Sequence, residues 1–267
     1  MRLSRRGVLI GAGVTGGLIA AWALSPRSFA PPLQAGEGEV AFDAWLKIGK
    51  DGVVSVAVPD LEMGQGITTL IPQIVAYELG ADWRQIAVEP APISGAYGNA
   101  PLAAHWAPLW ILVGSSLASI PDSLLARRFA QGDAFMVTAE GTSLAAHESA
   151  ARIAAASARA VLAMAAADRW DVSWEECDAQ DGFIVHDKRR LAFAELVDEA
   201  VQYEAPSPAV ARSLPPQERG AEFPAGAPLR YPRLDLPSKV DGSYSFAGDV
   251  RLPDMVYAAI RHAPIGD

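Results

Sequence analysis

The stretch Asp60-Leu61-Glu62-Met63-Gly64-Gln65-Gly66, followed by Thr68 and Thr69, holds the residue types best suited to chemistry. Two glycines at a bend before a helix let a ligand approach the backbone, and free N–H groups at a helix start attract anions such as phosphate. Gln65, between the glycines, offers amide donors and acceptors to a polar heterocycle, and the threonines add hydroxyls at the same end. The plain alternative is a glycine turn with a solvent-facing Gln. Glu62 is the nearest acid, and a local cap or hydrogen bond suits it better than a role as catalytic base.

Other chemistry is sparse. His105, His147, His186 and His262 are scattered without metal-ligand spacing and read as surface or core histidines. Neither a G-x-S-x-G elbow nor a P-loop occurs. Gly11-Ala12-Gly13-Val14-Thr15-Gly16 fits the dinucleotide fingerprint, but a basic stretch precedes it where a strand is required, and Pro26 interrupts the segment where a helix is required. Cys177 is the single cysteine, so this chain by itself can form neither an internal disulfide nor an iron–sulfur site. A free buried thiol is the expectation.

The elements around the bend are legible in part. Trp45 to Ile48 and Val53 to Val58 read as strands joined by a hairpin at Gly49-Lys50-Asp51-Gly52, with Val54, Val56 and Val58 on one face. Pro59 ends the second strand. A helix comes next, starting near Thr69 because Pro72 belongs in a first turn, and Gly80 closes it. Ile71, Ile74, Val75 and Leu79 form its apolar stripe. Arg84 to Val88 alternates weakly as a strand, and Pro121 to Phe129 can form a short helix. A long alanine-rich helix runs from about Leu144 to Trp170, with Thr142 or Ser143 as its N-cap. Cys177 to Val185 reads as a hairpin around Asp181-Gly182, and Phe193, Leu196, Val197, Ala200 and Val201 fit one helical face. Lys239 to Ile260 is strand-like.

In 267 residues, 51% are hydrophobic and 20% charged, enough apolar material to bury a core. The net charge of -9 argues against a nucleic-acid partner, which requires a basic face. At the amino terminus Arg2, Arg5 and Arg6 precede an uncharged stretch from Gly7 to Leu24, and Ser4-Arg5-Arg6-Gly7-Val8-Leu9 resembles a twin-arginine export signal. The competing reading is a single-pass anchor, since about 18 uncharged residues lie at the lower limit for crossing a bilayer. The expected organisation is a signal over 1–30, a linker over 31–44, a main domain over 45–204, a proline-rich linker or surface strap over 205–232, and a second, incomplete unit over 233–267.

Leu46 to Asn99, with Lys50-Asp51-Gly52-Val53-Val54, Glu62-Met63-Gly64-Gln65-Gly66, Gln73 and Glu78-Leu79-Gly80, resembles the molybdopterin-binding part of the xanthine dehydrogenase and aldehyde oxidoreductase family. Gly141-Thr142-Ser143, the alanine-rich helix, Arg169-Trp170-Asp171-Val172 and Glu176-Cys177 continue the likeness. Leu234 to Gly242 and Asp249 to Pro253 resemble the start of that family's α/β hammerhead domain. The hammerhead comes after the Met-Gly-Gln-Gly segment here, the order of the isoquinoline 1-oxidoreductase beta-subunit branch.

The resemblance implies an α+β fold, a molybdopterin-binding domain of small sheet and packed helices followed by the start of a hammerhead. It implies molybdopterin, in its cytosine dinucleotide form, with molybdenum, and Gly64, Gln65, Gly66, Thr142 and Ser143 as cofactor contacts. Ala139-Glu140 stand where the branch commonly has glycines, and a carboxylate beside a phosphate is repulsive. Nothing matches the family's late catalytic Glu, so no catalytic residue is assigned, nor any metal ligand. The implied partners are a small [2Fe-2S] subunit, the remainder of the large subunit and a small-molecule substrate, an aldehyde or an N-heteroaromatic. The implied location is the periplasm, with a membrane anchor if the signal stays uncleaved. The chain alone is expected to be an incomplete and inactive amino-terminal portion. The alternative is a non-catalytic periplasmic binding or assembly module, or a truncated remnant of the same fold.

Overall fold

The computed structural model describes residues 29, 31–120, 122–213 and 231–261. The export signal expected over 1–30 therefore lies outside the described residues, apart from Phe29. The chain divides into two units, Met1–Pro232 and Arg233–Asp267.

The first unit is built on a four-stranded sheet in chain order: β1 (Glu39–Phe42), β2 (Leu46–Gly49), β3 (Val54–Val58) and β4 (Ile86–Pro90). β1, β2 and β3 pair antiparallel, whereas β3 and β4 run parallel. Parallel neighbours need a crossover, and α1 (Ile67–Leu79) supplies it. The bend at 59–66 thus sits at the carboxyl end of β3, where the chain leaves the sheet. β1 corrects the expectation of a linker over 31–44. It is a four-residue strand fixed by backbone pairing, with Val40 opposite Ile48, and too short to show a pattern in sequence.

α1 begins at Ile67, two residues before the expected start. The Gly66 carbonyl accepts both Thr69 N–H and Leu70 N–H at 2.9 Å, so the first turn closes ahead of Pro72. The stripe is as expected for Ile71, Val75 and Leu79, all fully buried, while Ile74 is half-buried. Gly80, at φ 79, ends the helix with its N–H donating to Ala76 O. Short helices α2 (Ala100–His105), α3 (Ala107–Trp110), α4 (Ser115–Ala118) and α5 (Leu124–Gly132) follow β4.

The alanine-rich helix is α6 (Ser143–Trp170). Ala151, Ala154, Ala155, Ala158, Ala165 and Ala166 are buried, and side chains this small let α6 lie close against α1. It is long and apolar enough to cross a bilayer, but 67% of its most apolar window is buried in the protein, the pattern of a core helix. β5 (Asp178–Gln180), β6 (Phe183–His186) and β7 (Arg189–Ala192) form an antiparallel sheet. Asp181 and Gly182 both take positive φ, 48 and 83, as a two-residue hairpin turn of this hand requires. α7 (Phe193–Ala200) buries Phe193, Leu196, Val197 and Ala200. Val201, expected on that face, lies just past the helix end and is exposed.

Residues 205–213, expected as a linker or a surface strap, dock on the first unit. Glu78 is fully buried and receives Arg152 and Arg159 at 3.2 Å each and the Arg212 backbone N–H at 2.6 Å. Arg152 and Arg159 also donate to the Arg212 and Val210 carbonyls, closing the strap over the end of α1.

The second unit corrects the strand-like reading of Lys239 to Ile260. Among its described residues it holds α8 (Leu236–Asp241) and a 3-10 turn at Ala247–Asp249, no strand and no buried residue. Val240, Val256 and Ile260 are 74%, 86% and 83% exposed. A strand has little stability without a pairing neighbour, and among the described residues none is present for this segment.

Candidate functional site

The bend after β3 is folded around the Glu62 carboxylate. Its Oε1 accepts N–H bonds from Gly64 at 2.8 Å and Gly66 at 3.0 Å. Its Oε2 accepts Thr68 N–H at 3.2 Å and the Thr68 hydroxyl at 2.9 Å. Burial works to raise this carboxyl's pKa, but the bonds from Gly66, Thr68 and Gly64 outweigh it and hold the group below its ordinary value. Glu62 therefore caps the bend locally, as expected of it, and takes the amides assigned to an anion in the sequence.

Gln65 is committed in the same way. Its Oε1 accepts Met63 N–H at 2.6 Å and its Nε2 donates to Leu61 O at 2.6 Å. Gly64 and Gly66 stand at φ 103 and 82, and a Cβ on either would meet nothing within 4 Å. Glycine is demanded here by backbone conformation, and the outer side of the bend is open. Met63, 65% exposed, lies at the same place.

The second loop, ahead of α6, is also tied internally. Thr142 Oγ1 accepts from Asn99 Nδ2 at 2.8 Å and donates to Ala139 O at 2.9 Å, and Ser143 is buried as the first residue of α6. Thr142 occupies the N-cap position without a side-chain capping bond. Glu140 and Gly141 take φ 54 and 66. That left-handed backbone suits glycine and strains Glu140. Glu140 turns its carboxylate to Trp106 Nε1 at 2.7 Å and to His105 Nδ1, and these two contacts, the indole first, lower its pKa.

The structure brings the two loops together through Thr138, Asp60 and His147, to none of which the sequence gave a role in the site. Thr138 Oγ1 accepts Leu61 N–H at 2.9 Å and donates to Asp60 Oδ1 at 3.1 Å. Asp60 Oδ2 lies 3.0 Å from His147 Nε2 on α6, both side chains almost fully buried. The pair is at ion-pair distance but not aligned as a hydrogen bond, so this oxygen keeps an unfilled lone-pair direction. The His147 ring lies 5.5 Å from Trp45, which meets Tyr97 edge-on at 5.3 Å. Tyr97 donates to the Ala44 carbonyl, and burial above all pushes its phenol up. His147 is a core histidine. The one hint in sequence was its place in the first turns of an alanine-rich helix.

Elsewhere, no three His, Cys, Asp or Glu residues gather as a metal site among the described residues. Cys177 is partly buried, and burial raises its thiol pKa.

Residues 4–97, which include the whole bend, match the family model described as a molybdopterin cofactor-binding domain. The chain is 30% identical to isoquinoline 1-oxidoreductase subunit beta of Brevundimonas diminuta, over 99% of this chain and 34% of that relative. It is 24% identical to a membrane-bound aldehyde dehydrogenase, described with pyrroloquinoline quinone, of Gluconacetobacter polyoxogenes, over 98% of this chain and 30% of the relative. The chain therefore spans about a third of the length of the curated relatives it matches. It is a homologue of molybdopterin-binding oxidoreductase subunits, the family whose likeness the Glu62–Gly66 motif carries.

Proposed function

We propose that this chain is the amino-terminal, cofactor-orienting portion of a molybdenum hydroxylase large subunit that oxidises an aldehyde or an N-heteroaromatic compound with water-derived oxygen. The observation that carries the reading is the bend itself. Gly64 and Gly66 present an open backbone face at the carboxyl end of β3, in a loop whose shape Glu62 and Gln65 fix from within.

Those residues fit the uncharged part of a pterin better than its phosphates. A flat heterocycle can lie against two glycines that bear no Cβ, whereas the Gly64, Gly66 and Thr68 amides point at a carboxylate. Gly64 and Gly66 would hold the ring system, and Gln65 would act by keeping the bend in shape. When bound, the molybdenum centre supplies the two-electron oxidation, while the protein loops orient it. Thr142 and Ser143 would support this end from beneath through Asn99 and α6, not by direct contact. The cofactor would be the cytosine dinucleotide form.

The rest of the reading comes from family resemblance. Arg233–Asp267 would be the start of a hammerhead domain completed by further polypeptide, in keeping with relatives about three times as long. Electrons would leave through a small [2Fe-2S] subunit, because one cysteine cannot hold a cluster. The adjacent arginines at Arg5 and Arg6 would direct export to the periplasm after the cofactor is loaded, with the segment serving as an anchor if uncleaved.

The test is to produce the full chain in a host that makes the cofactor, alone and together with the missing large-subunit polypeptide and the small subunit. Molybdenum and pterin content and aldehyde-dependent dye reduction are then measured. Cofactor and turnover in the assembly alone are expected. Turnover by the isolated chain overturns the claim of incompleteness, and an assembly that holds no pterin overturns the function.

A further inference from the structure

An anion pocket with four donors exists at the start of α1, and the chain fills it with its own side chain. Two oxygens of one carboxylate take the N–H groups of Gly64, Gly66 and Thr68 and the Thr68 hydroxyl, all within 2.8–3.2 Å. A phosphate at this place has to displace a ligand tethered two to six residues away, whose effective concentration is of millimolar order or higher. If Glu62 stays, the newcomer meets a negative charge with its donors already engaged.

The second loop repeats the situation by independent means. Thr142's hydroxyl is bonded on both its donor and its acceptor side, and Glu140 sets another carboxylate beside the glycine turn. Asp60 adds a third carboxylate behind the first loop.

We propose that Glu62 is a specificity-determining positioning residue, a built-in oxyanion that makes the bend accept an uncharged ligand surface and reject phosphate groups. The inference rests on the proposed cofactor-facing role of the loop, and it requires that the phosphates of a pterin nucleotide be held by residues outside the bend.

The probe is inorganic phosphate, added to the full chain at constant ionic strength while the amide resonances of Gly64, Gly66 and Thr68 are followed by NMR. In the wild type these resonances stay put. In Glu62→Ala they shift, with phosphate affinity raised at least about tenfold, equivalent to ~1.4 kcal/mol. Glu62→Gln keeps the side-chain shape without the charge, and it is expected to show a smaller gain of the same sign. Circular dichroism verifies that each variant is folded.

A second measurement needs no variant. The same three resonances in the wild type titrate with the Glu62 carboxyl, at a midpoint that phosphate leaves unchanged. Phosphate-shifted amides in the wild type, a midpoint moved by phosphate, or a folded Glu62→Gln without gain each overturn the proposal. None of these results depends on molybdopterin. A wild-type assembly that holds pterin yet shows phosphate-shifted amides sinks this inference alone. An assembly without pterin, with the resonances silent to phosphate, sinks the functional reading alone.

Discussion

Asp60 and His147 meet at 3.0 Å inside the protein and join the head of the glycine bend to the first turns of α6. Through Thr138, the same aspartate reaches the loop that precedes α6. One buried carboxylate thus sets the spacing of both loops expected to face the cofactor. Asp60→Ala leaves the imidazole and the Thr138 hydroxyl facing a void, and is expected to cost about 1–3 kcal/mol in a urea melt. Asp60→Asn, which keeps the volume and one acceptor, should cost less. Equal stability of Asp60→Ala and the parent would show that the pair does not tie the loops.

Glu78 holds the strap at 205–213. Glu78→Ala removes the buried carboxylate that the partly buried Arg152 and Arg159 share and should cost about 3 kcal/mol by denaturant unfolding. Glu78→Gln should fall between that variant and the parent. Limited proteolysis of the folded Glu78→Gln protein is expected to cut within 205–213 faster than in the parent, since Arg212's backbone N–H loses its charged acceptor.

Two glycines with left-handed backbones should respond differently to alanine. Gly64→Ala meets no atom and costs only the conformational penalty, about 1–2 kcal/mol. At Gly80 the new Cβ would lie 2.3 Å from Ala179 O, adding an overpacking cost of about 1–3 kcal/mol to the same penalty. Thermal melts should therefore rank Gly80→Ala below Gly64→Ala.

Glu62 gives the bend a defined acid limit. Its native pKa lies below the unfolded value, because the bonds from Gly66, Thr68 and Gly64 exceed the opposing effect of burial. Its contribution is complete above the unfolded pKa of about 4.3, and is lost as pH falls through the lower, native one. Hydrogen exchange at Gly64, Gly66 and Thr68 should accelerate below about pH 4 relative to the intrinsic rate. In Glu62→Gln that pH-dependent step should be absent.

Glu140→Gly should melt at or above the parent, since glycine relieves the φ of 54 while the lost contacts to His105 and Trp106 are solvent-exposed. Glu140→Ala keeps the backbone strain and loses the same contacts, so it should melt below Glu140→Gly. The reverse order in differential scanning calorimetry would place the main contribution in the carboxylate.

Periodicity and turn chemistry carried most of the first unit. The valines of β3, the stripe of α1, the Asp181-Gly182 turn and the long run of α6 are local patterns, and each element formed within a residue or two of its expected place. Where pairing or partners decide, sequence was silent or misleading. β1 exists because β2 offers it a ladder, and the apolar alternation beyond Lys239 yields no strand among the described residues because nothing there pairs with it.

The site divides along the same line. The sequence by itself determined that a glycine bend lies between a strand and a helix, because only glycine takes those backbone angles without strain. Which groups face a ligand was decided by tertiary structure. Gln65 and Thr142 have the right chemistry, yet their polar atoms are bonded within the chain, and Glu62 holds the amides meant for an anion. A residue type lists what a side chain can bond, but only the folded chain determines which of those bonds are already made.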